Sequence, residues 1–303
     1  MSSFQEIAND IQGRRNLTPT DVVRHEHLKN LHKITNRNIV VYYSGWLLED
    51  SYNPHTDIND FDMNGFMTVL YKLDKSKGLD LFLHTPGGSL EATEAIGVYL
   101  KKVFHNDIRV IVPHLAMSGG TLIAFAAKEI FMGAHSSLGP IDPHFAGRPA
   151  HGVLEEFRQA IEAVKEDPAT IEVWKHIISQ YKPTFIGECQ NAMDCAHDIA
   201  RSWLADGMFA DVADDGEKKT RIDAIVTAFG DHTVSKTHGR HLMIDRCKQL
   251  GLNVTAIEEN ANLQDAILSV HHACTYTLMN PVIKKFIENH NGQTHAMISQ
   301  PIA

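Results

Sequence analysis

Hydrophobic residues follow two alternating rhythms along this chain. Short unbroken apolar runs occur at Asn38-Ile39-Val40-Val41-Tyr42-Tyr43 and at 79–83, 108–112 and 130–132. Their length and β-branched content predict strands buried on both faces. Between them, apolar residues recur at helical spacing. The stretch 60–71 carries Phe61, Phe66, Val69 and Leu70 and stops before the breaker Lys77-Gly78. The stretch 90–104 carries Ala92, Ile96, Val98, Tyr99 and Val103, and 121–127 is apolar on every side. Strands alternating with helices predict an α/β fold with a largely parallel sheet, covered on both faces and joined by right-handed crossovers.

After His151 the strand rhythm fades. Ser136-Ser137-Leu138-Gly139-Pro140-Ile141-Asp142-Pro143 has too many breakers for a helix and reads as extended. Helical patterns follow at 155–164, 169–180, 185–204, 216–229 and 239–250, the last closed by Gly251. A strand is predicted at 253–257, then an apolar helix at 263–278, with 281–288 as a short extension and a loose tail beyond Asn289. At the other end, Thr18-Pro19-Thr20-Asp21 signals the start of a helix running to Ile34. No linker or repeat is visible. The expected organisation is a helical extension over 1–36 and one α/β domain over 37–303, with 150–303 as a mainly helical elaboration.

Composition narrows the partners. The 303 residues carry a formal net charge of −9 and no basic block, so nucleic acid and anionic membrane are not expected partners. No signal peptide is evident, and no run approaches the roughly 18 apolar residues of a membrane helix. The four cysteines form no CxxC pair, which fits a reducing compartment, the cytoplasm. The 19 histidines invite a metal reading. The densest stretch, His238-Gly239-Arg240-His241, with His232 before it and Asp245 after it, places a guanidinium between the imidazoles. A cation would be repelled there, so no metal and no other cofactor is expected. Trp46, Trp174 and Trp203 read as core or interface residues.

Two glycine-rich segments carry the chemistry. His84-Thr85-Pro86-Gly87-Gly88 follows the second apolar run, and Met117-Ser118-Gly119-Gly120-Thr121 follows the third. Each sits where a strand ends and a helix begins, the edge at which open α/β sheets place reactive groups. Ser118 is a candidate nucleophile. The Gly119 N–H, at a helix start, has no intrahelical acceptor, and Gly87-Gly88 can turn the Gly88 N–H toward the same point. Two convergent N–H donors are what a tetrahedral oxyanion requires. Each motif alone is also an ordinary helix cap or a tight turn. Asp142 reads as an orienter of a histidine, a binder of a substrate amine, or a local cap. His84 and His114 either line a pocket or pack at strand ends.

The segments 81–97, 110–132 and 135–143 resemble the Clp-protease/crotonase superfamily and, more narrowly, the serine dehydrogenase proteinase family, relatives of signal peptide peptidase A. Gly88 and Ser118 have the separation of about thirty residues seen between the Gly-Gly segment and the serine in Clp-type proteases. The resemblance implies a spiral of ββα units, a homo-oligomer, and a cofactor-free serine endopeptidase acting on peptides or unfolded proteins. It implies Ser118 as nucleophile and the Gly88 and Gly119 amides as oxyanion donors. For the base it offers alternatives. Signal peptide peptidase A relatives use a lysine, which maps to Lys165 in a Ser-Lys dyad. Clp proteases use a histidine, nearest here at His144 and slightly out of register, and His238 is a third candidate. Unlike many relatives, this sequence carries no membrane-anchoring stretch. Two rival readings keep the same fold: an acyl-CoA enzyme of the crotonase branch, and a non-catalytic oligomeric scaffold. The first lacks a paired glutamate near Gly119.

Overall fold

The computed structural model describes residues 19–145, 147–231 and 237–299. Helix α1 (Pro19–Thr35) leads into strand β1 (Asn38–Ser44), whose seven residues are all buried. Helix α2 (Phe61–Leu70), strand β2 (Leu79–His84), helix α3 (Leu90–Phe104) and strand β3 (Ile108–Val112) follow in the predicted alternation. A two-residue strand β4 (Leu115–Ala116) precedes helix α4 (Gly119–Phe125), strand β5 (Glu129–Met132) and the short strand β6 (Ser137–Leu138). A small hairpin, β7 (His144–Phe145) and β8 (Arg148–Pro149), opens the helical part. That part contains α5 (Ala150–Glu166), α6 (Ile171–Ile178), α7 (Phe185–Asp206) and α8 (Asp215–Gly230). The chain then returns through β9 (Leu242–Met243), α9 (Ile244–Gln249), β10 (Val254–Ala256) and α10 (Ala261–Leu278) to strands β11 (Ile283–Asn289) and β12 (Thr294–Ile298).

The main sheet has the order β10-β5-β3-β2-β1-β11-β12. Its first five strands are parallel, as the unbroken apolar runs predict. A second, small sheet runs β4-β6-β9, and Thr85 continues it by a parallel bridge to Ala116. After β2, β3 and β5 the chain therefore adds a short extended segment to this inner layer before continuing, and after the first two a helix follows at once. This is the expected spiral of ββα units.

Strand alternation divides the core. Val40, Leu81, Leu83, Val110 and Met132 face one cluster with Phe66 of α2, Ile96 of α3 and Trp203 of α7. Ile39, Val41, Tyr43, Phe82 and Ile111 face another with Leu28 and Leu31 of α1 and Ile267 and Val270 of α10. At the amino end of the parallel strands the buried Asp80 carboxylate takes Arg37 Nε at 2.7 Å and Arg109 Nη2 at 2.6 Å. The opposite end carries the glycine-rich segments.

The carboxy-terminal stretch departs from expectation. Residues 281–288 do not extend the preceding helix, and among the described residues of the tail 294–298 form a strand rather than a loose segment. Strands β11 and β12 form a hairpin, and β11 pairs antiparallel with β1. The turn contains Asn291-Gly292, with Gly292 at φ 83°, a conformation that glycine adopts without steric cost. The charges that make the segment look solvated are buried in pairs. Lys285 Nζ lies 2.7 Å from Asp62, and Glu288 pairs with Arg24 of α1. Helix α9 is shorter than the predicted 239–250 because Leu242 and Met243 pair with β6 first. The part of the predicted extension over residues 1–18 lies outside the described residues. Among the described residues no helix is long and apolar enough to cross a membrane.

Candidate active site

Ser118 stands between β4 and α4 with φ 51° and ψ −114°. A non-glycine residue in that region costs on the order of 1–3 kcal/mol and persists only where its surroundings enforce it. Here they do. The Gly120 N–H donates to the Met117 carbonyl at 2.8 Å, and the Leu122 N–H to the Ser118 carbonyl at 3.1 Å. The buried Thr121 hydroxyl lies 2.8 Å from the Ala116 carbonyl and accepts the Gly139 N–H at 3.0 Å, tying the turn to β6. The serine side chain is thereby held half-buried at the head of α4.

The Pro-Gly-Gly turn is fixed against this elbow. The Thr85 N–H donates to the Leu115 carbonyl at 3.1 Å, and the Met117 N–H to the Thr85 carbonyl at 3.0 Å. Gly87, at φ 96°, comes so close that a Cβ there would lie 2.7 Å from Ser118 Cβ and 2.9 Å from the Gly119 nitrogen. Ile58 clasps the turn from outside. Its N–H donates to the Gly87 carbonyl at 2.7 Å, and its carbonyl accepts the Ser89 N–H at 2.9 Å. Among the described residues, no hydrogen bond takes up the N–H of Gly88 or of Gly119.

Both segments border a cavity of about 1070 Å³, together with His144, His238 and residues of α7 that include Glu188, Asn191 and Cys195. Asp142 lies just behind, with 1% of its surface exposed. Its Oδ1 is 2.7 Å from His238 Nδ1. His144 Nδ1 is 3.0 Å from the Asp142 backbone carbonyl and 3.8 Å from Oδ2, and the two rings are 3.9 Å apart. An imidazole that donates from Nδ1 keeps its lone pair on Nε2. The carboxylate thus contacts His238 directly, whereas the nearest partner of His144 Nδ1 on Asp142 is the backbone carbonyl. The cavity is acidic: Asp57, Glu91, Glu94 and Glu188 border it, and no lysine or arginine does among the described residues.

Other candidates fall elsewhere. Lys165 is exposed on the last turn of α5 and does not border the cavity. The buried positions of that helix, Ala150, Val153 and Ala160, form one stripe, and Lys165 lies off it. His84 follows Phe82 by two residues and so points to the α10 face of the sheet. Its ring packs 4.5 Å from Trp46, 5.3 Å from Tyr43, 5.5 Å from His114 and 5.8 Å from His271. His241 Nδ1 is 3.0 Å from Ser137 Oγ. His232 lies outside the described residues. Trp203 is a core residue that fills the space beside Gly97. Sequence reasoning overlooked Ile58, Asp57 and Glu188 of α7. They carry no local signal, because only the folded chain brings them to the turn.

A ββα spiral with a serine elbow against a Gly-Gly turn is the architecture of a Clp-like protein. The family described as ClpP-like SDH-type serine proteinase matches residues 57–263, and the chain belongs to it. The chain is 32% identical over 193 residues to the uncharacterized protein MJ0137 of Methanocaldococcus jannaschii, a match covering 64% of this chain and 59% of that protein. It is 41% identical over 103 residues to the uncharacterized protein MJ1495 of the same organism, covering 34% of this chain and 35% of that one. The chain thus spans less than two thirds of the length of these relatives.

Proposed function

We propose that this chain is a serine endopeptidase in which Ser118 forms an acyl-enzyme and His238, oriented by Asp142, is the general base. One observation carries the proposal: Ser118, the Gly88-Gly119 pair and His238 all border a single cavity. Ser118 Oγ attacks the scissile carbonyl carbon while Nε2 of the base takes its proton. The oxyanion accepts hydrogen bonds from the Gly88 and Gly119 amides, each worth about 3 kcal/mol in the transition state. The imidazolium, stabilised by Asp142, returns the proton to the leaving amine, and water then releases the acyl group. The acidic rim favours peptides with lysine or arginine side chains. The helical layer exposes Ile161, Val173 and Ile186 and offers apolar surface for assembly of identical copies.

Labelling by a fluorophosphonate probe tests the proposal, followed by cleavage of fluorogenic peptides. Wild type should label, and Ser118→Ala should not. His238→Ala should label at least about 100-fold more slowly. Cationic peptides should be cleaved faster than acidic ones, with the gap narrowing in high salt. A wild-type chain that never labels would support the scaffold reading instead.

A further inference from the structure

The Ser-His-Asp mechanism proposed above uses one imidazole and one carboxylate. This site has a second imidazole beside its carboxylate, His144, with Nδ1 3.0 Å from the Asp142 backbone carbonyl and 3.8 Å from Oδ2, and the reaction above gives it nothing to do. The donor atoms of Asp142, His144 and His238 all lie within 4.8 Å of one another. Nδ1 of each ring faces the carboxylate, at 2.7 Å for His238 and 3.8 Å for His144. The carboxylate is buried, whereas both rings border the cavity.

We infer that Asp142, His144 and His238 form a site for a zinc-like divalent cation, and that filling it switches Ser118 off. The inference rests on the histidine-base reading of the proposed function. Two imidazole nitrogens and one carboxylate oxygen suit zinc better than magnesium, which prefers an all-oxygen octahedron. Four-coordinate zinc with bonds of about 2.0–2.1 Å sets its ligand atoms about 3.3 Å apart, so small ring rotations bring three donors to it. The fourth position opens to the cavity. This set differs from the His238–His241 stretch considered from sequence, because His241 turns to Ser137.

Proton bookkeeping links occupancy to activity. In the metal-free site, His238 Nδ1 carries the proton donated to Asp142, and Nε2 holds the lone pair. A cation at Nδ1 takes up a lone pair there, so the proton of the neutral ring moves to Nε2. That nitrogen then donates and has no place for the Ser118 proton. Asp142 exchanges a hydrogen bond for a bond to the metal, and no electron changes hands.

The test uses the full chain stripped with EDTA and titrated with ZnCl2 by calorimetry, alongside the rate of fluorophosphonate labelling. The expected result is one equivalent bound by wild type. Affinity should fall at least about 10-fold in both His144→Ala and His238→Ala, since even outer-shell partners of a metal contribute 10–100-fold. ZnCl2 should slow wild-type labelling at least about 10-fold, EDTA should restore it, and MgCl2 should do neither. No binding by a wild-type chain that labels normally overturns the inference and leaves the peptidase proposal standing. Binding unchanged in both variants overturns it by placing the ion elsewhere. Binding through these residues without any slowing of labelling overturns the switch. Binding by a chain that labels neither with nor without EDTA overturns the peptidase proposal, and the switch with it.

Discussion

Two groups of histidines lie near the same carboxyl edge of the parallel sheet, and they are chemically unlike. His84, His114 and His271 pack among Tyr43 and Trp46 on the α10 side, and the nearest hydrogen-bond partner of His271 is the Tyr43 hydroxyl at 3.1 Å. Burial, and then the neighbouring His114, pulls His84 down to about 3, and burial pulls His271 well below the ordinary histidine value. All three rings are held below the ordinary histidine value, and none borders the cavity at Ser118. His144 and His238 instead share the Asp142 carboxylate and border open space. A catalytic base must meet substrate and must have an anion ready for the imidazolium it becomes. Only the second group has both. A histidine count cannot separate the groups, whereas a carboxylate within 3 Å of one ring does.

The sharpest way to break this contrast is to neutralise the anion. Asp142→Asn keeps the size of the side chain and removes its charge, so labelling of Ser118 should fall on the order of 10⁴-fold. Labelling within tenfold of wild type would place the base elsewhere.

A smaller effect tests the other group. His84 has a folded-state value of about 3, below its unfolded value, so the unfolded chain binds the extra proton between pH 6.5 and that point. Stability should therefore fall as pH drops from 6.5, by at most about 1.4 kcal/mol per pH unit for such a group, and be unaffected above it. In His84→Phe the urea midpoint should change less between pH 7 and pH 5 than in wild type. An equally steep profile would mean that His84 already accepts a proton in the folded state.

The smallest effect is expected at Lys165. It is exposed, so Lys165→Ala should leave labelling within about twofold and stability within about 0.5 kcal/mol. A loss of tenfold or more would bring this lysine into catalysis, through the site of a neighbouring copy.

What could be read from the sequence was whatever chemistry lies within one turn of chain. Strand, glycine turn, serine and helix head are contiguous, so both halves of the elbow were visible at 85–88 and 117–121. Asp142 and His238 are separated by 96 positions and meet only in the folded chain. Their partnership had no local trace beyond an aspartate set close between Pro140 and Pro143. Lys165 was suggested by its interval from the serine, but interval says nothing about which side of α5 a residue occupies. The terminal hairpin was misread for a different reason. Lys285 and Glu288 look like surface charges, yet each is buried against its counter-ion, Asp62 or Arg24.

The backbone at Ser118 sits in a conformation that most side chains avoid, and Thr121, Gly120 and Leu122 clamp it there. The unfavourable torsion is met once, while the polypeptide acquires its shape, and not again at each turnover. In the proposed peptidase, an arriving peptide would thus find its attacking group already aimed, and speed could depend on how substrates get in and products get out.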